Sequence, residues 1–245
     1  MILKTNNLVP IASFLLFLLA VLPQQVGAQI SVSTVLVHFD ARERPVHNIA
    51  VTNASGSPLY VTVSIEKIEQ PGEEGSPASP SEDILISPKR FSVPGKSSRT
   101  VRLLLRKRPE ELEQVYRVVF SPEERGFGES ELNFETQGKG AILRILTGMG
   151  VLVFVDPPNA KSELSWSRDG GTIRFKNEGN LHTRLINGKA CIGESDECQD
   201  LRARRVYGGR EYEVRVPADA TVTYTIREGT SGDYQTITIP PEGSA

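Results

Sequence analysis

Apolar and polar residues alternate with a period of two along much of this chain. The cleanest case is LYVTVSIEKI at 59–68. Leu59, Val61, Val63 and Ile65 fall on one side, and Tyr60, Thr62, Ser64 and Glu66 on the other. That is the pattern of a strand with one buried face. ISVSTVLVHF (30–39) alternates, shifts phase at Ser33-Thr34, and alternates again. HNIAVTNASGSP (47–58) reads as a strand running into a turn. QPGEEGSPASPSED (70–83) reads as a solvated loop. ILISPKRFSVPGKSSRTVRLLLRK (84–107) holds two short strands around Pro88 and the Pro94-Gly95 turn, and VYRVVF (115–120) follows an acidic stretch with room for one helical turn. No helical period of useful length occurs, and seven or so strands with turns between them predict an immunoglobulin-like sandwich.

GAILRILTGMGVLVFV (140–155) is the last strand of that sandwich. It is too glycine-rich for a helix, since Gly148 and Gly150 would each cost one about 1 kcal/mol. With period two, Leu143, Ile145, Thr147, Met149, Val151 and Val153 share one face, and Ile142, Leu146, Leu152 and Phe154 the other. A strand apolar on both faces is normally covered on both. The expectation is that one face packs on the chain's own core and the other awaits a partner. The solvated stretch 121–140 before it is acidic and glycine-rich, an expected site of proteolytic nicking.

Asp156-Pro157-Pro158 makes a stiff joint, because proline fixes φ and restricts its predecessor. Beyond it lie shorter strands: ELSWS, TIRFKN, HTRLING, RVYG, EYEVRVP, TVTYTIR and YQTITIP, separated by turns such as RDGG and NEGN. The predicted class is all-β, two immunoglobulin-like sandwiches joined by a short elbow, with domains at 29–156 and 157–245.

The N-terminus changes the picture. Lys4, an apolar run from Ile11 to Leu22, and then Val26-Gly27-Ala28 have the form of a secretory signal peptide over 1–28, cleaved after Ala28. The run is shorter than the roughly 20 residues of a bilayer span. Export explains the two cysteines. Cys191 and Cys198 in ACIGESDEC read as a local disulfide worth roughly 2 kcal/mol or less. A metal clip and free thiols are the alternatives, and two sulfurs alone do not complete a tetrahedral site.

Charge is balanced, 28 basic against 30 acidic residues, which argues against nucleic acid or a polybasic membrane contact. Candidate chemistry is sparse. No Gly-x-Ser-x-Gly elbow, HExxH, phosphate loop or dinucleotide fingerprint occurs. The glutamate pairs lie in loop-like sequence, and His38, His47 and His182 are expected on the surface. The chain is expected to be no enzyme and to need no cofactor or metal.

The order ILISPKRFSVPGKSSRTVRLLLRK, VYRVVF, then ILRILTGMGVLVFVDPP resembles the periplasmic pilus chaperones of the PapD type. It is most similar to the alternate group serving colonisation-factor fimbriae, whose second domain also carries a short-range cysteine pair after an Asn-x-Gly-Asn turn, here NEGN at 177–180. The resemblance covers nearly all of 30–239. It implies donor-strand complementation: the last strand of the first domain lends alternate apolar side chains to a pilus subunit that lacks a strand. The lent residues would be Leu143, Ile145 and Thr147, flanked by Ala141 and Met149, each buried aliphatic contributing about 1.5–3 kcal/mol. The partners implied are fimbrial subunits and an outer-membrane usher in the periplasm, with self-association open for the free chain.

In the PapD type an arginine on the first strand and a lysine on the last hold the client's terminal carboxylate. Leu36 and Leu152 stand at the matching positions here, and Asp156 where a basic residue is usual. Arg144, Arg117 and Arg102 are the candidate substitutes. A second reading keeps the fold but makes the chain a secreted adhesin or a structural pilus component. Pilins are usually single incomplete domains with a donor extension, whereas this chain has two complete-looking ones.

Overall fold

The computed structural model of the chain describes residues 30–123, 147–193 and 198–243. No helix occurs among them. The signal segment, Ala141, Leu143, Arg144 and Ile145 lie outside the described residues.

The first half holds β1 (Ile30–Val32), β2 (Leu36–Phe39), β3 (Val46–Asn53), β4 (Leu59–Ile68), β5 (Ala78–Pro80), β6 (Ile84–Ser87), β7 (Arg90–Val93), β8 (Ser98–Leu105), β9 (Gln114–Glu123) and β10 (Met149–Val155). A 4-stranded sheet has the order β1-β3-β8-β6, and a 6-stranded sheet runs β2-β10-β9-β4-β5 with β7 also on β4. Ile49, Val51, Val101 and Leu103 of the first sheet meet Val61, Val63, Val118, Phe120, Val151 and Val153 of the second in one core. Each set is spaced by two along its strand, which puts its members on one face.

The phase shift at Ser33-Thr34 has a structural cause. Ile30 is buried on β1, which pairs antiparallel with β3, whereas Val37 and Phe39 are buried on β2, which pairs parallel with β10 in the opposite sheet. The chain changes sheets there, so the inward side changes parity. Thr34 shapes the crossing: its hydroxyl donates to Leu36 O (2.7 Å) and accepts from Leu36 N–H (3.2 Å).

Four sequence expectations need correction. The stretch 70–83 is not wholly solvated loop, because Ala78–Pro80 pairs with the end of β4. Segment 84–107 makes three strands rather than two, because the apolar run after the Pro94-Gly95 turn pairs with both β3 and β6. The acidic stretch before β9 forms bends and no helical turn, and β9 itself continues to Glu123 into the stretch read as loop.

The second half holds β11 (Leu164–Asp169), β12 (Thr172–Asn177), β13 (Thr183–Ile192), β14 (Cys198–Leu201), β15 (Arg204–Val206), β16 (Glu211–Arg215), β17 (Ala220–Glu228) and β18 (Tyr234–Ile239). A 3-stranded sheet, β11-β12-β16, packs on a 5-stranded one, β14-β13-β17-β18 with β15 on β13. Ile173 and Phe175 of the former meet Leu185, Val222 and Tyr224 of the latter. The Cys191–Cys198 disulfide is formed and ties β13 to β14 at facing positions.

The NEGN turn is held by the fully buried Asn177. Its amide donates to Leu181 O (2.8 Å) and Val206 O (2.9 Å), and its carbonyl accepts from the N–H of Gly179 (3.0 Å) and Glu163 (3.1 Å). A Cβ on Gly179 would meet Lys161 O at 2.3 Å, so only glycine lets the two backbones pass.

Candidate functional site

The strand that raised the question of two apolar faces is β10. Its inner face carries Met149, Val151 and Val153. Val151 and Val153 are fully buried in the first core, Met149 is partly buried against it, and Thr147 is exposed. The change from core to exposure therefore runs along one face of the strand. The outer face is covered by the chain itself at its C-terminal end: Phe154, fully buried, lies 5.0 Å from the His182 ring and beneath the Arg205 guanidinium at 5.2 Å, both from the second sandwich. At Phe154 the outer face is thus closed by the chain's own second sandwich, while residues 141–146 of the expected partner-binding segment lie outside the described residues.

The edges of β10 differ in the same way. β9 pairs with it from Met149 to Val155 on one side. On the other side β2 pairs only from Leu152 onward, beginning with Leu152 N–H donating to Val35 O at 3.0 Å. Alternation turns the N–H of Gly150 the same way. Among the described residues no strand pairs with Met149, Gly150 or Val151 on that side. An unpaired edge with an exposed continuation is a template for an incoming strand.

Leu36 and Leu152 are direct partners in the β2–β10 ladder. Across the other edge, Leu152 faces Arg117 on β9. Arg117 is exposed and, with Leu152, Ile68, Val115, Gly72 and Tyr207, lines a cavity of about 230 Å³ between the two sandwiches. Arg102 lies elsewhere, on β8 in the other sheet, where its Nε donates to Asn48 Oδ1 at 3.5 Å.

His182 is buried and the other two histidines are only partly exposed, which corrects the sequence reading. His182 is fully buried, and its Nδ1 donates to the Glu113 carboxylate at 2.7–2.8 Å. His47 is half-buried and edge-on to Phe39 at 4.7 Å. His38 Nε2 lies 2.8 Å from Asp156 Oδ2, close enough for an ion pair but without the alignment of a hydrogen bond. Burial works to lower the His38 pKa, but the adjoining Asp156 carboxylate outweighs it and carries the value above the usual 6.5. Sequence reasoning missed these groups because their partners are distant in the chain.

Asp156 is locked into the elbow. Its N–H donates to Phe39 O (3.1 Å), and Arg108 Nη1 donates to the carbonyls of Asp156 (3.0 Å) and Phe39 (3.3 Å). A second bridge between the halves is exposed: Arg210 pairs with Glu73 at 2.7 Å. Beside it Tyr207, whose phenol is pushed up to about 12 by burial, packs near Gly72. No group of three or more metal-ligating side chains occurs among the described residues.

Two β-sandwiches in series, with an open-edged last strand running from the first into the joint, define the class: a two-domain immunoglobulin-like protein. A family model described as pili and flagellar-assembly chaperone, PapD N-terminal domain, matches residues 29–160, more than half of the 245 residues, and the chain belongs to that family. Solved structures agree on the fold. The class 5 fimbriae chaperone CfaA superposes with a TM-score of 0.63 at 17% identity, over 86% of this chain and 98% of that one. The SafB chaperone–SafA pilin structure of Salmonella enterica gives 0.61 at 13% identity, over 89% and 98%. The E. coli chaperone DraB gives 0.60 at 15%, over 87% and 96%. No curated protein sequence matches the chain.

Proposed function

We propose that this chain is a periplasmic chaperone that captures fimbrial subunits by donor-strand complementation and hands them to an outer-membrane usher. The observation that carries the reading is the edge of β10 at Met149, Gly150 and Val151, with which no strand pairs among the described residues and which is continuous in the chain with the exposed Thr147 and the apolar run before it. A subunit strand laid along that edge gains backbone hydrogen bonds, and the alternate residues Ala141, Leu143, Ile145, Thr147 and Met149 fill the groove of an incomplete sandwich. Such binding needs no cofactor and no catalysis. On this reading the domains are 29–156 and 157–245, and 1–28 is a signal peptide removed on export. Arg117 supplies the cation beside Leu152 for the terminal carboxylate of the subunit, supported by its position one rung across from that residue.

The test is co-expression in a periplasm with a fimbrial subunit. Leu143→Glu with Ile145→Glu should abolish recovery of the subunit while circular dichroism of the purified chain stays native. Normal recovery by the double variant would overturn the reading.

A further inference from the structure

A cavity of about 560 Å³ opens where the loop at 71–74 of the first sandwich meets β13, β15 and β16 of the second. Four arginines line it, Arg184, Arg204, Arg205 and Arg210, with three carboxylates, Glu73, Glu74 and Glu211. Two of the carboxylates are engaged. Glu73 holds Arg210 at 2.7 Å, and Glu211 lies 3.7 Å from Arg174, outside the cavity. Arg184, Arg204 and Arg205 are left with Glu74, three positive charges against one.

Strand pairing forces two of the three together. Arg184 on β13 is the direct partner of Arg205 on β15 and, across its other edge, of Arg227 on β17. Like charges facing each other in a cross-strand row repel. Arg227 is drawn away from the row: its Nε donates to Gly232 O (2.7 Å), its Nη1 donates to the Tyr234 hydroxyl (3.1 Å), and its guanidinium lies 4.7 Å over the Tyr234 ring. Arg184 and Arg205 have no such outlet among the described residues. Aromatic rings fix two of the guanidinium planes, Tyr212 under Arg204 at 5.7 Å and Phe154 under Arg205 at 5.2 Å. The Nε of each is shielded from solvent and finds no acceptor among the described residues. A shielded donor without an acceptor is costly.

We propose that this cavity binds a small polyanion, a molecule carrying phosphoryl groups or two or more carboxylates, held by Arg184, Arg204 and Arg205. Its oxygens relieve the repulsion between the facing arginines and accept from the shielded Nε–H groups. Guanidinium forks match phosphate and carboxylate alike. The cavity has the size of a small-molecule site, and the half-buried Tyr207 and Tyr212 wall the part of it that the arginines do not. Arg117, the cation offered to the terminal carboxylate of a subunit, is not in its lining. The inference does not depend on what the edge of β10 binds.

The test titrates the exported chain with pyrophosphate and with citrate at constant ionic strength, because salt by itself screens exposed charges. Calorimetry should show saturable binding of at least one of them, and the tighter of the two assigns the phosphoryl or the polycarboxylate class. Arg184→Gln and Arg205→Gln should each weaken it by about tenfold or more. Arg215→Gln, an exposed arginine of β16 outside the lining, should change it by no more than about twofold. In the wild type, the Nε–H resonances of Arg204 and Arg205 should move as the anion saturates, which decides the matter should a variant fail to fold. Absence of saturable binding of either anion by the folded wild type overturns the proposal. So does binding that survives both substitutions or leaves both resonances unmoved.

Discussion

Arg117 and Leu152 stand directly opposite each other on β9 and β10, and both line the cavity between the sandwiches. An exposed guanidinium one rung from an apolar side chain can meet a carboxylate arriving along β10. Replacing Arg117 by glutamate should weaken subunit capture by about tenfold or more, about 1.4 kcal/mol in binding free energy. Arg102→Glu on the other sheet should change it by no more than about twofold. Affinities of the purified variants for one subunit, measured side by side, check this, and equal effects would remove Arg117 from the site.

Phe154 belongs to β10 of the first sandwich and is covered by His182 and Arg205 of the second, so its loss should be felt by the whole molecule. Phe154→Ala is expected to destabilise by about 3–5 kcal/mol, the range for deleting a buried aromatic ring. Urea unfolding followed by far-ultraviolet circular dichroism would show a lower midpoint. An unchanged midpoint would mean that the ring contributes no packing.

His38 gives the elbow a pH dependence of definite sign. Its folded pKa lies above the ordinary value, so the protonated form is favoured by folding. That contribution is fully present below about pH 6.5 and is lost as pH rises through the raised value. The melting temperature of the wild type minus that of His38→Gln should therefore be larger near pH 5.5 than near pH 8. A difference that does not vary with pH would show that the Asp156 contact does not couple to folding.

The disulfide closes a short loop, with a sequence separation of 7. Its reduction should destabilise the second sandwich by about 2.5 kcal/mol or less on the loop-entropy account. Thermal unfolding with and without a thiol reductant, read by a probe in each sandwich, should show the shift in the second sandwich only. A loss of several times that size would give the bond a larger part than a local staple.

Much of the fold was legible in the chain because strand pattern is local. Leu59, Val61, Val63 and Ile65 announced β4, and all four are buried. The phase shift at Ser33-Thr34 was visible, although only pairing explains it, as a move from one sheet to the other. Short strands with weak alternation were the ones missed. Ala78–Pro80 and Cys198–Leu201 exist as strands because β4 and β13 offer them an edge.

The candidate site was legible in part. The glycine-rich apolar strand, and the leucines where cations were expected, came directly from the residues. The buried histidines did not, because His182 and Glu113 are 69 positions apart, and neither residue type announces burial.

Alternation, turn residues and the cysteine pair by themselves determined that this is a two-sandwich β protein with an unusual apolar strand before an Asp-Pro-Pro joint, since those properties depend on neighbours along the chain. Tertiary structure alone decided where β2 stops pairing with that strand, that the second sandwich covers Phe154, and that Glu113 finds its donors across the joint. Those depend on which distant backbones and side chains meet, and a period-two pattern records only whether a residue is covered and not by what.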